Sequence, residues 1–456
     1  MFKSIQLHFS LLLALATGVA QAGIPIEHWT HESGAQIYLV SNPAIPMVDV
    51  QIDLDAGGRR DAKAKAGLAS VMAGMASKGV AAVCSKPALD ENALSDAWAD
   101  LGASFGASAG SDRLSFSLRS ITDVDVLPKA LDLAARQLAA PAFPADIWQR
   151  ERQRMNADWK EANTKPATLA GREFARRVYG EHPYGFEASP DTWATISTDD
   201  MRQRYATSVL PCRAKVSIVG AVTRSQANAM LSQLLAHVND EGSLLKGQRC
   251  AELAQQRAQQ AVPEVQALAA AQEANLPFQS AQAHVLMGQP GFKRSDADFF
   301  ALIVGNHILG GGGFTSRLTE QVREKRGLSY SVYSYFMPGL HAGVFTVGLQ
   351  TKPSQAAQAV KISREVLAEF VKNGPTEKEL KAAKDNLIGG FALRIDTNRK
   401  LLDNVSNIAW NGLPLNYLDT WTQQVGKLTV ADIRAAMQRK LQPERMVTVV
   451  VGGAQP

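Results

Sequence analysis

The chain has 456 residues, of which 46% are hydrophobic and 20% charged, a composition typical of a globular protein with sizeable cores. At roughly 100 to 200 residues per domain, this length is enough for two or three domains. The formal net charge is +5, and Lys and Arg are scattered among acidic residues. This pattern excludes a partner bound mainly by charge, such as nucleic acid or an anionic lipid surface.

The N-terminal segment, 1–22, has the pattern of a secretory signal peptide. Lys3 precedes a mostly apolar stretch centred on residues 11–16, and Ala20 and Ala22 form the small-residue pattern of a cleavage site. No later segment offers the roughly 18 consecutive apolar residues that a membrane-spanning helix needs. We therefore expect cleavage after Ala22, no membrane span, and a periplasmic or secreted protein.

The periodicity of apolar residues alternates between that of strands and that of helices. In the first half it predicts strands at 35–40, 48–54 and 111–118, and helices at 67–77, 92–101 and 126–139. In the second half it predicts strands at 283–287, 329–335 and 343–349, a helix at 296–309, and long helices from Ser354 and Thr376. This mixture predicts an α+β fold in which helices pack on one face of mixed, mostly antiparallel sheets.

The sequence contains an internal repeat. Gly220 ends a segment with a helical start, a proline and an alternating apolar strand, and Gly452 ends a second segment with the same order. The offset between the two glycines is 452 minus 220, or 232, and Pro144 and Pro375 open two similar helices at 375 minus 144, or 231. The repeat predicts two homologous domains, at residues 23–238 and 263–456, joined by a polar, partly helical linker at 239–262.

Three cysteines, Cys84, Cys212 and Cys250, are an odd number for an oxidising compartment. This number allows one disulfide and one free thiol, and the sequence leaves the pairing open.

Residues 66–80 (AGLASVMAGMASKGV) resemble the opening helix of the pitrilysin/insulinase peptidase family, whose usual text is close to GLAHFLEHMLFKG. In that family the H-x-x-E-H motif supplies two zinc ligands on one helix face, and its Glu activates the bound water. Here Ser70 and Gly74 occupy the histidine positions, and Ala73 occupies that of the Glu. The third ligand is a Glu on a later helix, and the best alignment places Asp158 there. Since these residues cannot replace imidazole, we expect no catalytic zinc and no cofactor in this chain.

The histidines do not suggest a replacement site. His28 and His31, beside Glu32, lie in a segment with strand periodicity, where residues three apart point to opposite faces. His182 lies in a turn, GEHPYG, that also resembles the family's text, and we expect it to be structural. The others lack the spacing of metal ligands: His237, His284, His307 and His341.

Residues 309–336 closely resemble the family's C-terminal text, with a Gly-rich turn, an SRL helix start and an R-E-K-x-G-L-x-Y pattern. In family members an Arg and a Tyr of this segment bind the substrate backbone near the cleaved bond, which implies this role for Arg323 and Tyr330. A guanidinium and a phenol donate hydrogen bonds that stabilise negative charge in the transition state. The alternative is that Arg323 pairs with Glu320 or Glu324 and that Tyr330 is a core strand residue.

The glycines of this segment are Gly310, Gly311, Gly312 and Gly313. They resemble a phosphate-binding loop, but no G-K-[ST] follows them. Two interpretations remain open, a tight turn at the end of a helix and contact with an extended peptide substrate. We expect Arg326 to be a solvated charge.

The resemblance implies a non-catalytic, exported subunit of a zinc peptidase. Its partner would be a homologous subunit that carries H-x-x-E-H and the zinc, and this chain would supply Arg323 and Tyr330 to a peptide substrate. The alternatives are a peptide-binding or assembly protein without a catalytic role, and a stand-alone zinc peptidase with an unrecognised site.

Overall fold

The structure, a computed structural model, describes residues 23–83, 85–247 and 249–452. The predicted signal peptide, residues 1–22, and Cys84 lie outside the described residues.

The described part of the first half contains six strands and eight α-helices. In chain order they are β1 (Glu27–Thr30), β2 (Gln36–Ser41), β3 (Met47–Leu54), α1 (Leu68–Met75), α2 (Glu91–Asp100), β4 (Ser104–Ala109), β5 (Leu114–Ile121), α3 (Leu127–Ala139), α4 (Ala145–Ala162), α5 (Pro166–Tyr179), α6 (Pro190–Ala194), α7 (Thr198–Ser208), β6 (Lys215–Gly220) and α8 (Arg224–Leu234).

A helix, α9 (Cys250–Gln259), connects the two halves. The described part of the second half consists of β7 (Gln272–Leu276), β8 (Ala283–Pro290), α10 (Phe299–Asn306), β9 (Ser331–Met337), β10 (Val344–Thr351), α11 (Ala356–Asn373), α12 (Glu377–Gly389), α13 (Asn398–Asn411), α14 (Tyr417–Lys427), α15 (Val430–Lys440) and β11 (Val447–Val451).

Each half forms one mixed sheet, which confirms the predicted α+β class. The strand orders are β1-β2-β6-β3-β5-β4 and β7-β11-β8-β10-β9. One neighbouring pair in each sheet is parallel, β2 with β6 and β7 with β11, and the other described pairs are antiparallel. The last five strands of the first order therefore correspond to the five strands of the second.

Local sequence signals repeat at the same offset as the strands. Ser197 and Asp200 form a capping box at the start of α7, and Thr429 and Asp432 form one at the start of α15. The offset is again 232 for both pairs, from 200 to 432 and from 197 to 429. The same short-range hydrogen bonds thus begin the same helix in each half.

Every strand and helix predicted above is present, with shifted ends. The strand predicted from residue 111 begins at Leu114 because the chain first turns, with Gly110 N–H donating to Arg113 O at 2.9 Å. The helix predicted to end at 309 changes at His307 into a π-helical turn, His307–Gly311. Periodicity did not predict β4, because most of its residues (SFGASA) are small and show no clear alternation of apolar and polar side chains.

Each sheet carries helices of its own half on one face, and a helix of the other half covers part of the opposite face. Helix α5 of the first half packs on β8 and β11, and α13 of the second half packs on β3 and β6. These two helices are equivalent in the repeat, because they start at 166 and 398, which differ by the same offset. The halves therefore exchange equivalent helices, and each completes the core of the other.

The contact of α5 with the second sheet is apolar. Phe174 of α5 is 5% exposed and packs in one cluster with Val447, Val449 and Val451 of β11. A Cβ on Gly288 would lie 2.8 Å from the Phe174 ring, so the ring rests directly on the backbone of β8. Close packing of this kind makes the ring sensitive to truncation.

The contact of α13 with the first sheet is polar. Asp53 of β3 is fully buried and accepts hydrogen bonds from Arg113 Nη1 at 3.0 Å, Ser406 Oγ at 2.9 Å and Ser115 Oγ at 2.5 Å. Gln51 donates to Asp53 at 2.9 Å and to Ser406 at 2.8 Å. This network joins both halves through groups that would be costly to bury unpaired.

The connecting segment is attached to the first half. Cys212, in the turn before β6, forms a disulfide with Cys250 at the start of α9, which gives the pairing that the sequence left open. Leu245 is fully buried in the first core. The domain boundaries given above stay a prediction.

We predict that Phe174→Ala lowers the free energy of unfolding by about 3 to 5 kcal/mol, the usual cost of truncating a buried Phe. Because the Asp53 network still joins both halves in this variant, its unfolding in urea, followed by circular dichroism, should remain one transition. Leu393→Ala, at a 67% exposed position, is the control and should change little. A loss below about 1 kcal/mol for Phe174→Ala would contradict the exchange as a source of stability.

Candidate functional site

The start of helix α1 is fixed by Gly67 and Asp61. Gly67 has a φ of +95°, and a Cβ there would lie 2.7 Å from the Ala188 side chain, so glycine is required. The Asp61 carboxylate accepts the backbone N–H groups of Gly67 at 3.2 Å and Ala69 at 3.1 Å. Burial raises the pKa of Asp61 to about 6, although these N–H groups and Arg204 oppose the rise.

The face of α1 that would bind a metal lacks every side chain for the task. Ser70 and Gly74 are exposed, one turn apart, and a Cβ added at Gly74 would meet no atom within 4 Å. Ala73, at the position of the general base, is 2% exposed. A hydroxyl, a hydrogen and a methyl group do not fit a zinc ion, and the assignment of these three residues to the ligand and general-base positions stays a prediction.

Asp158 lies far along α4, where it is exposed and bonded to Arg154 at 2.9 Å. The carboxylate of α4 that the structure ties to the region of α1 is Glu151, whose Oε1 lies 3.6 Å from Nζ of Lys78, just after α1. Sequence analysis did not single out Glu151, although it lies two helical turns before Asp158 on the same face. The assignment of Asp158 to the third position stays a prediction.

The described residues contain no group of three or more His, Cys, Asp or Glu that could hold a metal ion. His31 is buried and hydrogen-bonds Ser33 and Ser232, so it is a core residue. His182 is also buried; its Nε2 bonds the carbonyl of Pro263 at 2.9 Å, as expected for a structural role.

Arg323 and Tyr330 lie side by side in the second half. Arg323 belongs to a π-helical turn, Thr319–Glu324, and its guanidinium carbon lies 5.3 Å from the Tyr330 ring centroid and 4.7 Å from that of Phe314. Tyr330 is 78% exposed and Phe314 72% exposed. The structure thus brings the two predicted residues together at the surface and adds Phe314, which sequence analysis missed.

The alternative interpretations of this pair have different outcomes. Arg323 Nε does lie 3.4 Å from Glu324 Oε1, whereas Glu320 pairs with Lys325. A surface pair of this kind contributes about 0 to 1 kcal/mol, so a ligand could readily displace Glu324. The alternative prediction that Tyr330 is a core strand residue is wrong, because its side chain is exposed.

Tyr330 points outward because the chain bends just before β9. The Ser329 hydroxyl lies 2.5 Å from the carbonyl oxygen of Ser331 and 2.7 Å from that of Gln350, which ties the segment before β9 to the end of β10 and leaves the Tyr330 ring exposed. Arg326 is exposed and bonds Gln321, as expected for a solvated charge.

Arg317 anchors the segment that carries Arg323. It donates to Glu379 of α12 at 2.6 and 2.8 Å, to Glu369 of α11 at 2.5 Å and to the Gly374 carbonyl at 3.1 Å. Burial alone would raise the pKa of Glu379, but Arg317 and Thr376 lower it to about 2. These hydrogen bonds of Arg317 hold the π-helical turn against α11 and α12.

The glycines support the tight-turn interpretation. Gly310 is buried, and a Cβ there would lie 2.4 Å from Ser334 Oγ of β9, so the turn packs directly on the strand. Asn306 fixes this contact by accepting from the Ser334 hydroxyl at 2.7 Å and donating to the Ser334 carbonyl at 3.1 Å. Gly313 has a φ of +63°. Peptide contact by these glycines stays a prediction.

The fold and this site define a two-domain, peptidase-like protein whose described residues contain no group that could hold a metal ion. The family model of insulinase (peptidase family M16) matches residues 36–187, and the model of the peptidase M16 inactive domain matches residues 195–387. A peptidase M16 inactive domain from Pseudomonas fluorescens is 33% identical in sequence, with a TM-score of 0.84 over 94% of this chain and 98% of that chain. The chain belongs to peptidase family M16, the insulinase family.

Curated relatives span nearly the same length. An uncharacterized zinc protease of Streptomyces coelicolor is 26% identical over 93% of this chain and 89% of that protein. The non-peptidase homolog YmxG of Helicobacter pylori is 26% identical over 93% of both proteins. The periplasmic protease PqqL of Escherichia coli is 15% identical, with a TM-score of 0.75 over 94% of this chain and 46% of PqqL, and shows only that the fold is shared.

Over residues 23–83, 85–247 and 249–452, no helix combines the length and apolar character needed to cross a membrane.

We predict that Asp61 makes stability depend on pH. Its pKa is about 6 in the folded protein, against the ordinary value of 3.8 for an exposed aspartate, so the folded state binds more protons between these values. The contribution is fully present below about pH 3.8 and is lost as pH rises through 6. The free energy of unfolding of the wild type, relative to that of Asp61→Asn, should therefore fall by on the order of 1 to 3 kcal/mol between pH 4 and pH 7.

Urea unfolding of both proteins at several pH values measures this difference. Parallel stability curves for wild type and Asp61→Asn would show that Asp61 does not titrate in this range.

Proposed function

We propose that this chain is a non-catalytic subunit of a zinc metallopeptidase that presents Arg323 and Tyr330 to a peptide held at the zinc of a homologous H-x-x-E-H subunit. The observation that carries the proposal is an asymmetry between the halves. The first half keeps the helix of the metal site without its ligands, whereas the second half holds Arg323 beside the exposed ring of Tyr330.

The geometry of the pair suits a peptide carbonyl. The guanidinium is held over two aromatic rings, those of Phe314 and Tyr330, and its acidic neighbour, Glu324, is a weak competitor. The exposed phenol provides a second donor beside it. Donors fixed in advance at the oxygen that gains negative charge lower the barrier to peptide cleavage.

The proposal includes closing the peptide chamber of the complex and export to the periplasm. Residues 1–22 carry the pattern of a secretory signal, and PqqL, which shares the fold, is named a periplasmic protease.

We expect Arg323→Ala to lower kcat of the reconstituted complex by about 100- to 1,000-fold, the usual cost of losing one such donor. Tyr330→Phe should lower kcat less, since it removes one hydroxyl and keeps the ring. Cleavage of a fluorogenic peptide by this chain mixed with its zinc-bearing homologue measures both effects.

Arg326→Ala is the matched control, because Arg326 lies on the same segment but is solvated. It should leave kcat unchanged. If all three variants cleave at the wild-type rate, the assisting role fails, and the second candidate function gains support.

That second candidate is a peptide-binding or assembly protein with no catalytic role. It is favoured by the Helicobacter pylori relative, which is named a non-peptidase homolog. Under this function Arg323→Ala changes peptide affinity or complex assembly and leaves kcat unchanged.

A stand-alone zinc peptidase is a further alternative, since several relatives are named zinc proteases. We expect the isolated chain to contain less than about 0.1 zinc per molecule and to cleave no peptide, because the face of α1 lacks ligands. Elemental analysis of protein dialysed against zinc tests this expectation. Stoichiometric zinc with peptide cleavage would overturn the proposed function.

A further inference from the structure

A cavity of about 430 Å³ lies where the two halves meet. The turn between β4 and β5 and the turn between β9 and β10 form its rim, and Tyr179 of α5 and Trp410 of α13 form part of its wall. We call it the junction cavity. The side chains used below that line it are Ser111, Asp112, Arg113, Tyr184, Met337 and Asn411.

The rim of the junction cavity is held in place by hydrogen bonds between the two turns. Asp112 accepts from the Tyr184 hydroxyl at 2.6 Å and from the Leu340 N–H at 2.9 Å, and Arg59 Nε lies 3.1 Å from it. The Tyr184 oxygen in turn accepts the His341 N–H at 3.2 Å. Both oxygens of Asp112 are therefore used within the protein, and its charge is balanced by Arg59.

With Asp112 paired, the other charged side chain that lines the junction cavity in the described part of the chain is that of Arg113. Arg113 and Lys215 both lie near one buried carboxylate, that of Asp53. Arg113 donates to Asp53 and Ser406 through Nη1, which leaves Nε and Nη2 for a ligand within the described part of the chain. Lys215 is not part of the lining, and its Nζ donates to two carbonyl oxygens at the end of α13, at 2.6 and 3.1 Å. The unused Nε and Nη2 of Arg113, a cation in the lining of the cavity, favour a negatively charged ligand.

An apolar strip leads from the Arg323 site to the junction cavity. Tyr333, Tyr335 and Met337 occupy alternate, exposed positions of β9, and the two tyrosine rings stack at 5.9 Å. Met337 is 61% exposed and also lines the cavity. From Tyr330 to Met337 the chain advances seven residues, or about 23 Å in extended form.

Strand β9 is also an edge strand. It pairs with β10 on one side, and the described residues place no strand on its other side. An edge strand offers backbone groups to an extended peptide, and the side chains on its exposed face then select alternate residues of that peptide.

We propose that the junction cavity binds the C-terminal carboxylate of an extended peptide that runs along β9 to Arg323 and Tyr330. This inference rests on the proposed function, because it identifies which end of the peptide the chain holds. Arg113 pairs with the carboxylate, the Asn411 amide lies beside it, and Trp410 and Met337 contact the last side chain. The volume suits one terminal residue, and the strip selects large apolar residues at alternate positions.

The test measures binding to the isolated chain by fluorescence anisotropy. The probe is an N-terminally fluorescein-labelled octapeptide of alternating Ala and Tyr that ends in Phe, with either a free C-terminal carboxylate or a carboxamide. We expect the amidated peptide to bind at least tenfold more weakly. An amidated peptide that ends in Glu should bind as weakly as the Phe amide, and binding equal to that of the free acid would overturn the assignment to the chain terminus.

Two variants test the location. Arg113→Gln should remove the preference for the free acid, but it also touches the Asp53 network, so its folding is checked by thermal unfolding. Ser111→Glu leaves that network intact and adds a negative charge at the exposed rim of the cavity. It should weaken binding of the free-acid peptide at least fivefold. Ser108→Glu, exposed on β4 and away from the cavity, is the matched control and should bind as the wild type does.

Equal binding of acid and amide, no binding of either peptide, or a Ser111→Glu variant with wild-type affinity would each overturn the junction-cavity proposal. Turnover of the complex separates this failure from failure of the proposed function. If Arg323→Ala still abolishes turnover, only the junction cavity is wrong. If the carboxylate preference holds while Arg323→Ala has no effect, the cavity stands and the assisting role fails.

Discussion

The structure depends on the exchange of two equivalent helices, α5 and α13, between the halves. Without α5, the second sheet would expose the apolar residues that pack on Phe174. Without α13, the buried Asp53 of the first sheet would lose its hydrogen bond from Ser406. Both contacts are therefore costly to break. The exchange fixes the two sheets relative to each other. The edge hairpins β4–β5 and β9–β10 consequently meet at one place, beside the ends of the exchanged helices.

The two halves share a fold and differ in chemistry. Helix α1 has a cap, a buried face and open space beside Gly74, so its backbone leaves room for the ligands that the sequence lacks at the predicted positions. In the second half, local irregularities shape the surface: π-helical turns, a close glycine contact at Gly310 and a hydroxyl bridge from Ser329. Irregular backbone of this kind often marks functional sites because it costs stability.

Much of the fold could be predicted from sequence, since the information is local. Capping boxes, strand alternation and the constant offset between the halves all act within short segments or between copies of them. The exchange could not be predicted, because the sequence analysis identified neither α5 nor α13, and a buried helix face does not indicate which sheet covers it. The disulfide partner of Cys212 was undetermined for the same reason, as spacing does not fix distance in the fold.

The sequence motif correctly indicated that Arg323 and Tyr330 lie together, whereas the roles assigned to Ser70, Gly74, Arg323 and Tyr330 stay predictions. The site was less predictable where the exposure of a side chain determines its role. Alternation within residues 329–335 alone would bury Tyr330, but β9 starts at Ser331, two residues after the predicted start, and the Tyr330 ring before it is exposed. Glu151 escaped notice because its neighbour Lys78 is distant in sequence, and Phe314 because spacing alone does not show that its ring lies beside Arg323.

The central claim is that this chain supplies donors to chemistry at a metal held by another subunit. The most direct measurement is a structure of the complex with the zinc-bearing homologue, its general-base Glu replaced by Gln, and a bound peptide. The account predicts the Arg323 guanidinium and the Tyr330 hydroxyl within about 3 Å of carbonyl oxygens next to the scissile bond. A peptide at the zinc with both side chains pointing elsewhere would contradict it.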